Sequence, residues 1–472
     1  MDLYAILYWT VIGCFAYLLS VYTMFGLLLV VSAAENVRLA RQDRNEDYET
    51  LAESRFTIPV SLIAPAFNEE VVIAAAVRSL LALDYPEYEV IVVNDGSRDG
   101  TLEELKRTFG LQRREMFYRR VFRTRAVRGV YQSASFPRLL VIDKENGGKA
   151  DALNCGFNFA RYRYVCTVDG DTVFFPNALL KGMRLALKDP ARVLGVTSQV
   201  AISRRPEETD PARPGSQRID DKSLTNFQML DYLRAFLNNR VGWSRLDFML
   251  CSVGAFAIWR RDVVAELGGF SGDFTCEDIE FTFRAHEHFR RIKQPYRIVS
   301  MGDMVGRSEG PDTIGRLISQ RARWQRVITE TVWHYRRMLL NPRYGTVGLL
   351  GMPYYLLAEV FAPIVQVVAV LTVPLAWWLG VFSLPQFLLF LATVALANGV
   401  LTNIAILLHD SGSRIYPIGD LFRLMLLGPL DLFIYRPILF YAQAKGFVDF
   451  LRGDKSWHKF ERNRREASRA SA

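Results

Sequence analysis

Two regions of nearly continuous apolar sequence enclose a long charged region, and this layout most constrains the fold. The first apolar region, Leu3 to Val31, is long enough to cross a bilayer as one helix. It starts without positive residues and is longer than the core of a signal peptide, so we expect it to be retained. Arg38, Arg41 and Arg44 follow it, which predicts that the next region is cytoplasmic.

The second apolar region begins near residue 347 and contains three stretches, at residues 349–382, 386–408 and 421–447. The first is expected to form a short interfacial piece and then a kinked span. Three later spans would place the basic C-terminal end outside, so one of them is expected not to cross. Glu359, Asp431 and Arg436 lie within these stretches. They are candidates to line a polar conduit, with a position at the bilayer surface as the alternative.

Composition supports a membrane protein with one ordinary globular part. Half of the residues are hydrophobic although 23% are charged, which indicates that the two classes are segregated along the chain. The net charge is +9, but no nucleic-acid recognition module is present, so no nucleic-acid partner is expected. The scattered cysteines do not suggest zinc binding or disulfides. His286 and His288 are expected at the surface.

The charged middle region has the pattern of an α/β domain. Residues 59–66 and 89–95 are apolar runs typical of buried strands, and residues 71–83 between them have helical periodicity. This arrangement predicts a βαβ unit and a parallel sheet. Residues 139–143, 164–168 and 248–259 are expected to add further strands.

Polar residues cluster where these strands end. Asn68, Asp95, Asp169 and Asp171 all fall at predicted carboxyl ends, where open α/β sheets bind ligands. If the chain stays extended, Asp169 and Asp171 project to the same side. Two such carboxylates suit Mg²⁺ or Mn²⁺ bridged to a diphosphate, although an acidic turn is the plainer interpretation.

Other stretches also leave two interpretations open. The turn Gly147-Gly148-Lys149 before a helix is either a diphosphate cradle or an ordinary Gly-rich turn. Glu277 and Asp278 cap a helix in the plain interpretation. The segment from Lys106 to Arg128 is basic with interleaved aromatic residues, typical of a solvated or membrane-facing excursion. Residues 203–222 are expected to be a flexible loop.

The order of the polar motifs carries more information than any single motif. Asn-Asp95-Gly-Ser, Lys-Ala-Asp151, Asp169-Gly-Asp171, Glu277-Asp278 and Gln320-Arg-Ala-Arg-Trp324 occur in this sequence between membrane segments. The chain thereby resembles the processive family 2 glycosyltransferases, such as cellulose, hyaluronan and chitin synthases. The likeness is strongest to the bacterial poly-N-acetylglucosamine synthases, through residues 143–151.

The resemblance implies a GT-A nucleotide-sugar-binding fold with a mixed, mostly parallel sheet, plus transmembrane helices. It implies that Asp278 is the general base and that Asp169 and Asp171 bind the metal. The donor nucleotide, its diphosphate and the acceptor would be contacted by Asp95, Lys149, Asp151, Asp169, Gln320, Arg323 and Trp324. The loop from Cys251 to Phe256 would contact the growing end.

The implied domains are a membrane helix at 1–35, a linker at 36–56, a cytoplasmic catalytic domain at 57–340, membrane helices at 341–447 and a basic tail at 448–472. The implied enzyme extends, and in some relatives translocates, a polysaccharide from a UDP-sugar at the inner membrane. Lipid and accessory export subunits are the implied partners. Transfer to a polyprenyl-phosphate acceptor and a non-catalytic binding subunit are the alternatives.

Overall fold

The chain divides into two compact units. The computed structural model describes residues 2–44, 48–54, 57–203, 219–234, 239–413 and 416–453. The helical unit comprises Met1–Arg41, Thr209–Phe248 and Gly310–Ser456, and the α/β unit comprises Gln42–Glu208, Met249–Glu309 and Trp457–Ala472. Most of the expected loop at 203–222 and of the basic tail at 448–472 lies outside the described residues.

The α/β unit is built on one mixed sheet, which has ten strands within the described residues. They are β1 (Val60–Ala66), β2 (Tyr88–Asp95), β3 (Leu111–Arg114), β4 (Val127–Ser133), β5 (Leu139–Lys144), β6 (Tyr164–Val168), β7 (Val173–Phe174), β8 (Val193–Ile202), β9 (Phe256–Arg260) and β10 (Arg297–Ser308). Their order is β3-β4-β5-β2-β1-β6-β9-β8-β10-β7. Strands β5, β2, β1 and β6 are parallel neighbours, whereas β9 is antiparallel to β6 and β8. The predicted α/β class is confirmed.

Helices cover this sheet because its central strands are apolar on both faces. They are α2 (Tyr48–Glu53), α3 (Ile73–Leu81), α4 (Thr101–Phe109), α5 (Lys149–Phe159), α6 (Ala178–Lys188), α9 (Arg261–Glu266) and α10 (Glu277–Arg291). Helix α5 packs very closely on β1, since a Cβ atom at Gly156 would lie 2.3 Å from Ile63 Cγ2. This close contact, which only glycine allows, fixes the position of α5. The first turn of α5 belongs to the candidate site.

The helical unit contains the apolar segments. Its helices are α1 (Leu3–Arg44), α7 (Ser223–Tyr232), α8 (Asn239–Arg245), α11 (Ile314–His334), α12 (Met352–Tyr355), α13 (Ala362–Trp378), α14 (Leu384–Ser413), α15 (Ile418–Ile434) and α16 (Arg436–Leu451). Helix α1 runs past residue 35, where the linker was expected to begin. Short 3₁₀ turns form at Arg336–Met338 and Pro342–Tyr344, and π-helical turns at Val347–Gly351 and Leu356–Val360.

Three helices of the described chain are long and apolar enough to cross a membrane: Leu3–Gln42, Val347–Trp378 and Leu384–Asp410. Helices α15 and α16 reach the same standard only as a pair, and they are bent by 49°. The bend falls where α16 begins, with Pro437 as its second residue, because proline cannot donate the backbone hydrogen bond that would continue the preceding helix. That one late segment does not cross stays a prediction.

The charged residues of the late helices join a network of five side chains, which we call the ion network: Asp231, Arg234, Arg321, Asp431 and Arg436. Asp431 is only 1% exposed and accepts hydrogen bonds from Arg234 at 3.2 Å and Arg436 at 3.0 Å. Asp231 pairs with Arg234 at 3.2 Å and Arg321 at 3.1 Å. Asp431 therefore faces protein rather than the bilayer surface, as expected for a carboxylate in an apolar region. That Glu359, Asp431 and Arg436 line a polar conduit remains a prediction.

Two expectations for the α/β unit were wrong. The predicted strand at 248–259 is a strand only in its last part, β9, because residues 249–253 have no regular structure. His286 was expected at the surface but is 1% exposed on α10. Its Nε2 lies 2.8 Å from the Met249 carbonyl and its Nδ1 lies 2.6 Å from the Tyr296 hydroxyl.

The burial of His286 predicts a pH-dependent stability. Burial lowers its pKa from 6.5 to about 4, so the unfolded chain binds a proton that the folded chain excludes between these values. Wild-type stability should therefore fall relative to His286→Gln as the pH drops from 6.5 towards 4, by roughly 3 kcal/mol in total. Thermal unfolding in detergent across this range measures the difference. A difference that does not change with pH would contradict a buried neutral histidine.

Candidate active site

Asp95 organises the end of β2 and the turn that follows β5. Its carboxylate is buried and accepts hydrogen bonds from Lys144 Nζ at 2.5 Å, Gly147 N at 3.0 Å and Gly148 N at 2.8 Å. Asn146 Nδ2 adds a fourth donor at 3.2 Å. Two carboxylate oxygens offer about four acceptor positions, so these donors occupy all of them. The predicted contact between Asp95 and a nucleotide would require one of these donors to leave.

Gly148 allows the turn to lead directly into α5. Its φ of 87° is in the left-handed region, which favours glycine. The Gly-rich turn is thus held by the Asp95 carboxylate, and Lys149 becomes the first residue of the helix. The predicted position of this turn before a helix is confirmed.

Lys144 belongs to the candidate site, although it was not singled out from the sequence. Its side chain is 0% exposed, and its ammonium lies between Asp95 at 2.5 Å and Asp151 at 2.6 Å. Asp151 also accepts a hydrogen bond from the backbone N of Arg125 at 3.2 Å. Asp151, predicted to lie along the nucleotide, is therefore tied to Asp95 through one lysine. The signal available in the sequence was a charged residue at the end of an otherwise buried strand.

A second lysine gathers the acids of two other elements. Lys149 Nζ lies 2.9 Å from Asp169 Oδ1, at the end of β6, and 3.0 Å from Glu277 Oε1, at the start of α10. A Cβ atom at Gly254 would lie 2.8 Å from Asp278 Oδ2 and 2.9 Å from Lys149 Nζ, so the loop before β9 passes directly beside both. We call Lys149, Asp169, Glu277 and Asp278 the lysine–acid cluster. Glu277 was not assigned a role from the sequence.

Two members of the cluster, Asp278 and Lys149, have shifted pKa values. Burial and the charge of Glu277 raise the pKa of Asp278 to about 6, although Lys149 opposes the shift. Burial lowers the pKa of Lys149, but the charges of Asp169, Glu277 and Asp278 outweigh it and hold that pKa well above its usual value. At neutral pH, Asp278 is therefore a deprotonated carboxylate of raised basicity beside a permanent cation.

Asp171 is positioned by a turn rather than by an extended strand. Strand β6 ends at Val168, and the Thr172 N donates to the Asp169 carbonyl at 3.4 Å. A Cβ atom at Gly170 would lie 2.7 Å from the Pro65 carbonyl oxygen, so the turn passes against the end of β1. The condition for projecting both carboxylates to one side, an extended chain, is not met. Ser308 Oγ lies 3.5 Å from Asp171 Oδ1.

The acids at this edge fit a metal that is shared with a bound phosphate. Among the described residues, no group of three or more His, Cys, Asp or Glu side chains is arranged to hold an ion. Mg²⁺ is commonly held by one or two carboxylates, with phosphate oxygens and water completing its octahedron. Asp169 and Asp171 supply such hard oxygen donors from one turn, so the residues fit an ion of this kind.

The motif from Gln320 to Trp324 lies in α11 of the helical unit. Gln320 Oε1 and Arg323 Nε are buried, and neither has a hydrogen-bond partner among the described residues. Arg321, which the sequence analysis left unassigned, pairs with Asp231, and its guanidinium carbon lies 4.3 Å from the centre of the Trp324 ring. Arg321 therefore anchors the motif to the ion network, while Gln320 and Arg323 keep polar atoms for another partner.

Family models match most of both units. The model described as "Glycosyl transferase family 2" matches residues 61–242, and the model described as "Glycosyl transferase family group 2" matches residues 164–404, more than half of the chain. The two matched regions contain the sheet, the lysine–acid cluster and α11.

Individual relatives are more distant. The chain is 27% identical over 269 residues to a poly-beta-1,6-N-acetyl-D-glucosamine synthase of Staphylococcus epidermidis, which is 56% of this chain and 53% of that protein. It is 26% identical over 301 residues to the synthase of Staphylococcus aureus (strain COL), which is 63% of this chain and 60% of that protein. The match thus spans between half and two thirds of these relatives' length.

A solved structure shares the fold. A mannosyltransferase from Pyrobaculum calidifontis, in complex with GDP-Man and Mn²⁺, superposes with a TM-score of 0.56 at 19% identity. The match covers 93% of this chain and 99% of that chain. The GT-A fold expected from the sequence is thereby confirmed.

Removing the charge of Lys144 should destabilise the α/β unit. Lys144→Met keeps the length of the side chain but leaves Asp95 and Asp151 without their shared cation, which should cost about 3 to 5 kcal/mol of unfolding free energy. Chemical denaturation in detergent measures this loss. Lys181→Met is the matched control, because Lys181 pairs with a half-exposed Asp303 at 3.1 Å and should change stability by less than about 1 kcal/mol. Equal losses of unfolding free energy in the two variants would show that the buried pairs of Lys144 stabilise the unit no more than an exposed ion pair does.

The ion network gives a parallel prediction for the helical unit. Asp231→Asn should lower the unfolding free energy by about 3 to 5 kcal/mol, since Arg234 and Arg321 lose a buried counter-charge. Asp449→Asn breaks a more exposed pair with Lys445 on α16 and should cost roughly 0.5 kcal/mol. The unfolding temperatures of both variants in the same detergent test the difference. If the two variants unfold alike, the network does not stabilise the unit.

Proposed function

The chain belongs to the family 2 glycosyltransferases, and from this premise we propose that it extends a glycan at the membrane by inverting transfer from a UDP-sugar. The first candidate donor is UDP-N-acetylglucosamine, supported by the similarity to the staphylococcal synthases. The observation that carries the proposal is the lysine–acid cluster, which joins the end of β6, the start of α5 and the start of α10 around one ammonium group.

Asp278 is the general base in this proposal. Its pKa of about 6 leaves it deprotonated at neutral pH and more basic than an ordinary aspartate. It takes the proton of the acceptor hydroxyl as that oxygen attacks the anomeric carbon. Glu277, held by Lys149, raises this basicity by its charge and contacts no reacting atom itself. Below about pH 6 the base is protonated, and transfer is expected to fall.

Departure of the nucleoside diphosphate needs positive charge. Lys149 supplies a permanent cation at the first residue of α5, where the helix N-terminus also favours anions. Asp169 and Asp171 would hold a divalent ion, Mg²⁺ or Mn²⁺, which would supply further positive charge to the leaving diphosphate. Arg323 has a buried Nε without a partner in the described residues, which supports its assignment to the diphosphate because a guanidinium N–H can donate to a phosphate oxygen. Gln320 is assigned to the diphosphate by the family resemblance alone. Trp324 is assigned to the acceptor sugar.

We assign the enzyme to the inner membrane as a multi-pass protein with its α/β unit in the cytoplasm. The candidate spans support this location, and the arginines after residue 35 support the orientation. Processive extension, translocation of the product, and partnership with membrane lipid and export subunits belong to the same proposal. A single transfer to a polyprenyl-phosphate acceptor is the competing outcome.

The donor and product are tested together. Membranes containing the protein are incubated with radiolabelled UDP-N-acetylglucosamine, UDP-glucose or GDP-mannose, and the products are sized. A long polymer from UDP-N-acetylglucosamine supports the proposal. One sugar on an extractable lipid supports the competing outcome, and nucleotide binding without release of UDP would leave only a binding protein. EDTA should stop transfer, and restored Mg²⁺ or Mn²⁺ should return it.

Asp278→Asn should reduce kcat by at least about 100-fold, since a positioned base contributes roughly 10²- to 10⁴-fold. UDP binding, followed by calorimetry, should persist because the amide keeps the shape of the side chain. Asp189→Asn is the control: Asp189 follows α6 and is 43% exposed. Transfer that survives in Asp278→Asn would reject this residue as the base.

A further inference from the structure

A surface cavity of about 360 Å³ in the α/β unit is lined by three arginines, Arg119, Arg163 and Arg261. Phe157 forms part of its wall, and Asp262 is the one carboxylate among its lining residues. We call this the arginine cavity. Its volume is at the lower end of the range for small-molecule sites and exceeds what a single inorganic anion needs.

The guanidinium groups that line the arginine cavity are not engaged in ion pairs in the described part of the chain. Within the described residues, no side-chain hydrogen bond or ion pair engages the guanidinium groups of Arg119, Arg163 and Arg261. Burial and the charge of Arg119 lower the pKa of Arg261, although the charge of Glu89 opposes the shift. Like charges gathered without a counterion repel one another, and a bound anion relieves this repulsion.

Neighbouring arginines that do not line the cavity are paired with carboxylates. Arg161, two residues before Arg163, is paired with Glu89 at 2.8 Å. Arg260, adjacent to Arg261, holds both oxygens of Asp262, one of them at 3.1 Å. The carboxylates of this region are therefore engaged by the arginines that do not line the cavity. The three that do line it remain available to a ligand.

The arginine cavity lies at the opposite end of the sheet from the lysine–acid cluster. Arg163 directly precedes β6, whereas Asp169 directly follows it. Strand β9 is antiparallel to β6, with Arg260 opposite Tyr164, so Arg261 also lies at the starting end of β6. Along α5, Lys149 is the first residue and Phe157 is near the last. The two places are about 12 Å apart along the helix and about 20 Å apart along the strand.

The segment that carries Arg119 is fixed rather than freely solvated. The backbone N atoms of Val121 and Phe122 donate to Asn158 Oδ1, each at 2.9 Å, and Asn158 Nδ2 donates to the Phe122 carbonyl at 2.9 Å. Asn158 is 2% exposed. The ring of Phe122 lies 4.9 Å from that of Phe157, centre to centre. The predicted excursion is exposed at residues 112–121, as expected for a solvated segment. Its contacts with α5 also dock it beside the cavity that Arg119 lines.

We propose that the arginine cavity binds a phosphate group, distinct from the diphosphate of the sugar donor. Guanidinium groups match phosphate oxygens with paired hydrogen bonds, and three of them suit a doubly charged phosphomonoester. The group comes either from a lipid headgroup or from free phosphate. Phe117 and Met116, which precede Arg119, are exposed apolar residues, and such residues beside arginines suit a bilayer surface.

The test compares two sources of the phosphate group, a lipid headgroup and free phosphate, for binding to the whole chain in detergent. Inorganic phosphate and dioctanoyl phosphatidic acid are titrated separately by calorimetry, with dioctanoyl phosphatidylcholine as the uncharged reference. The Arg119→Gln/Arg261→Gln variant should weaken phosphate-group binding at least tenfold. The matched control is Arg113→Gln/Arg114→Gln, which removes the same charge from the edge strand β3 outside the cavity and should leave binding unchanged.

The source follows from the wild-type affinities. Phosphatidic acid binding at least tenfold tighter than phosphate identifies a lipid headgroup, and equal affinities identify free phosphate. Equal weakening in both double variants would reduce the effect to general charge and overturn the site, as would no binding of either ligand by folded wild-type protein. Unchanged unfolding temperatures in the variants exclude a folding defect. None of these readouts depends on glycosyl transfer.

Discussion

The carboxylate of Asp95 accepts four hydrogen bonds, and the shape of the candidate site depends on them. Its donors come from the end of β5 and from the turn that leads into α5. Because the carboxylate holds both glycine N–H groups, the turn is fixed and Lys149 starts the helix. Without these hydrogen bonds, the position of Lys149, which joins Asp169 to Glu277, would not be fixed.

Paired charge is the rule that both units follow. In the α/β unit, Lys144 and Lys149 each join acids from two different elements, so each links parts of the chain that are distant in sequence. In the helical unit, the ion network does the same among apolar helices. A buried charge without a partner is strongly destabilising, so these pairs specify which elements come together. The arginine cavity departs from this rule, and for that reason it is informative.

Much of the framework was predictable because strand and helix periods are local properties. The βαβ unit, the ends of β1 and β2, and the helix that begins at Lys149 follow from apolar runs and turn residues within about ten positions. The roles of Lys144, Glu277 and Arg321 were not predictable in the same way. Each depends on a partner that another element supplies, and no local pattern states which element that is.

The orientation of Asp171 and the burial of His286 show the same limit. The direction of Asp171 was predicted from an extended chain. However, β6 ends at Val168, and the turn that follows it packs against Pro65. His286 was expected at the surface, whereas its ring nitrogens lie within hydrogen-bond distance of the loop before β9 and of Tyr296.

The sequence by itself determined the apolar spans, the α/β class, the family and the set of acids at the strand ends, since these depend on residue type and order along the chain. Only the tertiary structure decided which cation neutralises which acid, that Asp95 is occupied by its own turn, and that three arginines meet without a counterion. The physical reason is that electrostatic energy depends on distance and burial in space, and neither is written in the spacing of residues along the chain.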